Sequence, residues 1–210
     1  MKKFLTVLLF LAVAIAGLWF FAFNSKKDTD SGTKLQPLTV SKHSDIFNVS
    51  AQKMIGSYYN LTEGFVISDT LAINKYAHEL KMNLDSLRLD QLQKDTVIYE
   101  TASGAWGNAK AEIDGLVKDG TLEEKRLALN SLTQYVYDLL RTVRYDQSKI
   151  YFQECPMAFG EDQPGNWLSK TPDVRNPYLG TQHPKYKDGM LGCGGPKDTL
   201  NFLVTESTKQ

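Results

Sequence analysis

The sequence predicts an all-α domain: an up-down four-helix bundle carrying an irregular C-terminal tail, behind an N-terminal membrane anchor. Three observations carry this. Apolar residues recur at helical spacing from about residue 45 to residue 144. Cap-type residues punctuate that stretch. From Ser148 onward the periodicity stops, and six of the seven prolines follow, which argues against long helices there.

The chain opens with Lys2 and Lys3, then an uncharged run from Phe4 to Phe23. About 20 apolar residues suffice to cross a bilayer. The run ends in Trp19, Phe20, Phe21 and Phe23, bulky residues that suit a membrane interface and make a poor cleavage site. Residues 1–24 are therefore expected to be an uncleaved signal anchor, with a cleaved signal and a soluble periplasmic domain as the alternative. The short N-terminal tail favours placing the rest outside the cytoplasm. Residues 25–44 are rich in Ser, Thr, Lys, Asp and Gly and read as a flexible tether. Residues 45–210 form one domain by length.

Within that domain, Phe47, Ala51, Met54, Tyr58, Leu61 and Phe65 alternate steps of four and three. So do Ile73, Ala77, Leu80, Leu84 and Leu87, and again Leu129, Leu132, Val136, Leu139 and Val143. Each set makes an apolar stripe on one helix face. A third helix, between about Leu89 and Val117, is less regular; it carries Leu92, Tyr99, Trp106, Ile113 and Leu116, with Gly104 and Gly107 inside it as points of bending or close packing. Ser68-Asp69 is placed to cap the second helix, Asp119-Gly120 to close the third, and Thr121 with Glu124 to open the fourth as a capping box.

In the tail, residues 149–153 read as a short extended segment, and Trp167, Tyr178 and Tyr186 as apolar anchors. Glu161-Asp162 reads as a solvated turn. A stretch so rich in Pro and Gly packs on a domain only if something pins it, and ordered loops of this length are often functional.

The 24 basic and 24 acidic residues balance, so no excess of positive charge points to nucleic acid. Three scattered histidines give no hydrolytic zinc spacing, and the two cysteines form neither Cys-x-x-Cys nor a haem-attachment motif. No nucleophile–base pair stands out, so the domain is not expected to be an enzyme.

The chemistry concentrates in two sulfur clusters, Cys155-Pro156-Met157 and Met190-Leu191-Gly192-Cys193. If the first is extended, Cys155 and Met157 share a side of the backbone; in a tight turn, Met190 and Cys193 share one too. Thioethers suit Cu(I) or Ag(I) and do little for hard ions, while thiolates serve Cu(I) and Zn(II) alike. His183, followed by Pro184, is a further candidate ligand. The same residues equally suit a structural Cys155–Cys193 disulfide with two core methionines beside it, since paired cysteines in exported chains are commonly oxidised. Both readings require the cysteines to be neighbours; the direction of Met157 and Met190 separates them.

The run Tyr151-Phe152-Gln153-Glu154-Cys155-Pro156-Met157-Ala158, then Trp167-Leu168-Ser169, then Val174-Arg175-Asn176-Pro177-Tyr178, then Met190-Leu191-x-Cys193-Gly194 resembles an exported bacterial family. It is a helical domain of unknown function, found alone or fused to periplasmic adaptor proteins of heavy-metal efflux pumps. The resemblance spans approximately Asp45 to Phe202. It implies copper or related soft-metal handling in the envelope, efflux or metal-handling proteins as partners, and Cys155, Met157, Met190 and Cys193 as the matching positions. Glu154 stands where family members often carry histidine, and the stretch from Thr181 to Gly189, with His183, is longer than the usual connection.

Overall fold

The computed structural model describes residues 42–118 and 120–203. The expected anchor, most of the tether and Asp119 lie outside the described residues. Among the described residues, no helix is long and apolar enough to cross a membrane.

The described chain runs through α1 (Asp45–Val66), α2 (Thr70–Asp85), a 3-10 turn (Leu89–Leu92), α3 (Thr96–Lys118) and α4 (Leu122–Thr142). It then forms β1 (Ile150–Gly160), β2 (Gln163–Ser169) and β3 (Gly195–Leu200). The strands make one antiparallel sheet in the order β2-β1-β3. The all-α expectation is therefore corrected: the domain is a mixed helix-and-sheet fold, not a pure four-helix bundle with an irregular tail. Proline density misled because proline disfavours helix interiors far more than strand ends and edges. Pro164 lies near the start of β2, Pro196 lies on the edge strand β3, and Pro156 is exposed where the pairing of β1 with β2 loses register. Glu161-Asp162 is the turn between β1 and β2, with Asp162 at φ 57°.

The helix starts follow local chemistry. The Ser44 hydroxyl accepts from the Phe47 amide, and Asp69 Oδ1 accepts from the Leu71 and Ala72 amides at 3.0 Å. Thr121 and Glu124 close the expected capping box, satisfying amides that a helix start otherwise leaves orphaned. The third helix is displaced from expectation. Its first residues tighten into the 3-10 turn, and α3 begins at Thr96, where Asp95 Oδ1 accepts from the Ile98 amide. A Cβ added at Gly104 or Gly107 would meet nothing within 4 Å, so neither glycine is there for close packing.

The three regular stripes are buried throughout, from Phe47 to Phe65, Ile73 to Leu87 and Leu129 to Val143. On α3 the buried face is instead Ala102, Ala109, Ile113 and Leu116, with Tyr99 and Trp106 only partly covered. Small residues let this helix approach its neighbours, and the Trp106 indole N–H reaches the Leu84 carbonyl at 2.7 Å. Lys125 turns its ammonium inward to the Leu116 carbonyl at 2.6 Å, a cation at the C-terminal end of α3.

The sheet is tied to the helices by polar side chains. Thr133 gives its proton to the Leu129 carbonyl, so the Tyr58 hydroxyl donates to Thr133 Oγ1 (2.6 Å) and accepts from the Leu168 amide (3.2 Å). Asn130 Oδ1 accepts from the Asn166 amide at 2.8 Å, and the Tyr178 hydroxyl donates to the Asn166 carbonyl. The outer edge of β2 thus finds partners in side chains. On β3, Pro196 has no amide proton, and the Thr199 amide is taken by Asp198. Open strand edges invite pairing with other chains, and both edges are blunted here.

Candidate functional site

The segment between β2 and β3 brings the sulfur residues together, and Asn176 organises it. This side chain has no exposed surface. Its Oδ1 accepts from the Tyr178 and Leu179 amides at 2.8 and 3.0 Å, while its Nδ2 donates to the Cys193 carbonyl at 2.9 Å. One amide group therefore fixes both ends of the loop. A second clamp lies at the end of α1. The Thr181 amide donates to the Val66 carbonyl (2.8 Å), Gln182 to the Ile67 carbonyl (3.0 Å), and Arg175 pairs with Glu63. Gly180, at φ 55°, is required there: a Cβ would stand 2.5 Å from the Val66 carbonyl oxygen.

Cys155, on β1, is fully buried. Cys193 is part-buried in a turn whose amide donates to the Met190 carbonyl at 3.0 Å. Both are free thiols, and the Cys155 thiol is near enough to Cys193 to raise its pKa. Burial, and then the neighbouring Cys155 thiol, push the Cys193 thiol above its ordinary range, because a second charge in this pocket has little solvent and a like group beside it. Cys193 is held protonated near neutrality until a soft cation displaces the proton or oxidation removes it.

Met157 does not follow Cys155 inward. The pairing of β1 with β2 shifts register between Cys155 and Gly160, so alternation breaks: Cys155 and Ala158 are buried while Met157 is 42% exposed. Met157 and Met190 instead line a groove of about 640 Å³ with Phe159, Tyr178, His183 and Tyr186. Arg126, Glu123 and Glu161 complete its charged wall, and the cysteines do not line it. The four sulfurs thus divide into a thiol pair in the core and a thioether pair on the adjoining groove.

His183 is committed elsewhere. Its Nδ1 accepts from the Lys185 and Tyr186 amides, both at 3.2 Å, and its ring stacks on Tyr186. A neutral imidazole accepting at Nδ1 carries its proton on Nε2, which then has no lone pair for a metal. Glu154 pairs with Lys197 of β3 and accepts from Asn166; Lys197 holds its carboxyl below the usual range.

No family model, curated protein or solved structure matches this chain. The site is therefore read from its own chemistry. Among the described residues there is no group of three or more His, Cys, Asp and Glu side chains that could hold a metal ion. Two thiols with thioethers nearby suit only an ion content with two or three soft ligands.

Sequence reading located the sulfur residues, Trp167 and Tyr178 but missed Asn176 as their organiser. A polar residue between an arginine and a proline gives no periodic signal, and only its burial shows its role. Tyr186, expected as an anchor, is 39% exposed and braces His183 rather than the core.

Proposed function

We propose that this domain binds a soft monovalent metal of the Cu(I) or Ag(I) type in the cell envelope, as an accessory to metal-efflux or metal-handling proteins. The observation that carries the reading is the proximity of the Cys155 and Cys193 thiols, with Cys193 lying just before the point where β3 pairs with Glu154 of β1 and Asn176 holding the Cys193 carbonyl. Two thiolates and one monovalent cation leave a single negative charge where two separate thiolates would leave two, which offsets the burial, and then the neighbouring thiol, that keep Cys193 protonated. The thioethers of Met157 and Met190, on the neighbouring groove, are the further soft donors. The envelope setting rests on the N-terminal sequence, and the metal class agrees with the family that the tail motifs resemble.

A second reading is favoured by one specific observation: Met157 turns into the groove and away from the buried thiols. On that reading Cys155–Cys193 is a disulfide that pins the loop, and the domain is a non-catalytic interaction module. One experiment separates the two. The reduced full chain is titrated with Cu(I) against a competing chelator, and thiols are counted in the chain as purified under non-reducing, denaturing conditions. Stoichiometric uptake that is lost in Cys155→Ser and Cys193→Ser, and weakened at lower pH as protons compete, supports metal binding. No competition with the chelator, together with no free thiol, supports the pinned module. Met157→Leu with Met190→Leu conserves volume and is expected to cost less than about 1.5 kcal/mol in stability. Unchanged Cu(I) affinity in that double variant would remove the thioethers from the site.

A further inference from the structure

Exposure falls in steps along the four sulfurs. Met157 is 42% exposed, Met190 and Cys193 are part-buried, and Cys155 has no exposed surface. An ion held by a carrier in solution therefore cannot touch Cys155 directly, whereas it can touch Met157. Each thiol also has a thioether close by on its own chain segment. Met157 follows Cys155 by two residues on β1, and Met190 opens the turn in which the Cys193 amide donates to the Met190 carbonyl.

The two thioethers come from distant parts of the chain yet line one groove. Tyr178 lines it too, and Cys155 lies close to this residue: burial first, and then Tyr58 and Cys155, push the Tyr178 hydroxyl well above its ordinary pKa. Tyr178 is thus a neighbour of both the groove and the buried thiol. On the groove's wall the carboxylates of Glu123 and Glu161 outnumber the single guanidinium of Arg126, a balance that favours an arriving cation.

We propose that this groove is the entry port for the metal: the thioethers of Met157 and Met190 take Cu(I) or Ag(I) from its carrier, and the ion then passes to Cys155 and Cys193. The port rests on the soft-metal reading of the thiol pair and places the thioethers on the way in rather than in the final site. A thioether is neutral and has no proton to lose, so capture requires no base. In the second step two S–H bonds break and two metal–sulfur bonds form. Both protons leave to solvent, and the ion keeps its oxidation state. Met157 faces the groove while Cys155 faces the core, a division that suits successive contacts better than one shared coordination shell.

The reduced full chain is mixed rapidly, without oxygen, with the coloured complex of Cu(I) and bicinchoninate, and the loss of colour is followed. Release is followed as the return of colour when the loaded chain meets excess bicinchoninate. A port lowers the same barrier from both sides. Met157→Leu with Met190→Leu should therefore slow uptake and release alike, by about tenfold, while affinity stays within about threefold of the parent. The swap conserves volume, and circular dichroism checks that the fold is kept. Parental rates in the double variant would overturn the port. So would weaker affinity with faster release, which would make the thioethers ligands of the final site. If the parent chain takes no metal, the soft-metal reading itself fails and the port with it; uptake at unaltered rates removes the port alone.

Discussion

In the helical layer the buried polar side chains Ser57, Thr62, Lys125 and Thr133 spend their protons on helix carbonyls, whereas the strand layer and its loop bury Gln153 and Asn176, which bond loop backbone, and the Cys155 thiol. Helices satisfy their own backbone and ask only for a hydrophobic face. The loop from Lys170 to Gly194 has no such internal ladder and borrows partners: Asn176 for its own amides, α1 for Thr181 and Gln182. The difference teaches where chemistry can sit. A segment whose backbone is satisfied by side chains can place a thiol pair or a thioether groove at positions that no periodic element dictates.

The sharpest way to expose the contrast is to damage each layer in its own currency. Leu132 of α4 has no exposed surface. Leu132→Ala should cost about 2–5 kcal/mol through lost transfer energy and a residual cavity. Because this residue lies in the shared core, the whole described domain should lose stability together, seen as one lowered transition by circular dichroism. Retention of parental stability would mean that the helical interior collapses around the gap.

Asn176→Ala is the matching cut in the loop. It removes three hydrogen bonds and strands the Tyr178 and Leu179 amides in a buried setting, at about 1–3 kcal/mol for each group that finds no water. The expected signature is local: hydrogen exchange rises between residues 174 and 194 while the helices keep their protection. Cu(I) affinity should fall as well, since Asn176 holds Cys193 in place. A uniform rise in exchange across the helices would show that the loop is a structural part of the core rather than an addition to it.

The same contrast explains what was legible in the sequence. Three helices could be read from single-face periodicity because burial of a helix face leaves a repeating mark. The alanines of α3 left a weaker mark, so Ala102 and Ala109 were passed over for Tyr99 and Trp106. The sheet was hidden because β1 is covered at Ile150 and Phe152 and then at Gln153 and Cys155, so the buried face switches at a register shift and simple alternation is lost. The register shift after Cys155 then reversed the expected facing of Met157. The neighbourhood of the two cysteines was foreseen only as a requirement of both candidate readings. Asn176 fixes the Cys193 carbonyl across the loop, and the β1–β3 pairing at Glu154 and Gly195 sets it beside Cys155, neither of which sequence spacing encodes.

The smallest expected effect tests how β3 is held. Two of its residues are fastened by charge: Lys197 to Glu154 on β1, and Asp198, which accepts from the Tyr137 hydroxyl on α4. Lys197 depresses the Glu154 pKa, and the Tyr137 hydrogen bond depresses that of Asp198. A carboxyl whose folded pKa lies below its unfolded value contributes stability that is present above the unfolded pKa and is lost as pH falls through the folded one. With ordinary carboxyl values near about 4, protection of β3 should be constant at neutral pH and decline below about pH 4. Lys197 and Asp198 are both exposed, so the change should be modest and should shrink in high salt. Hydrogen exchange of Lys197 to Leu200, followed from pH 6 to pH 3 (roughly the span across which such carboxyls protonate), measures it. Glu154→Gln and Asp198→Asn should each flatten part of the β3 profile. A profile unchanged in both variants would mean that β3 is held by its ladder to β1 alone.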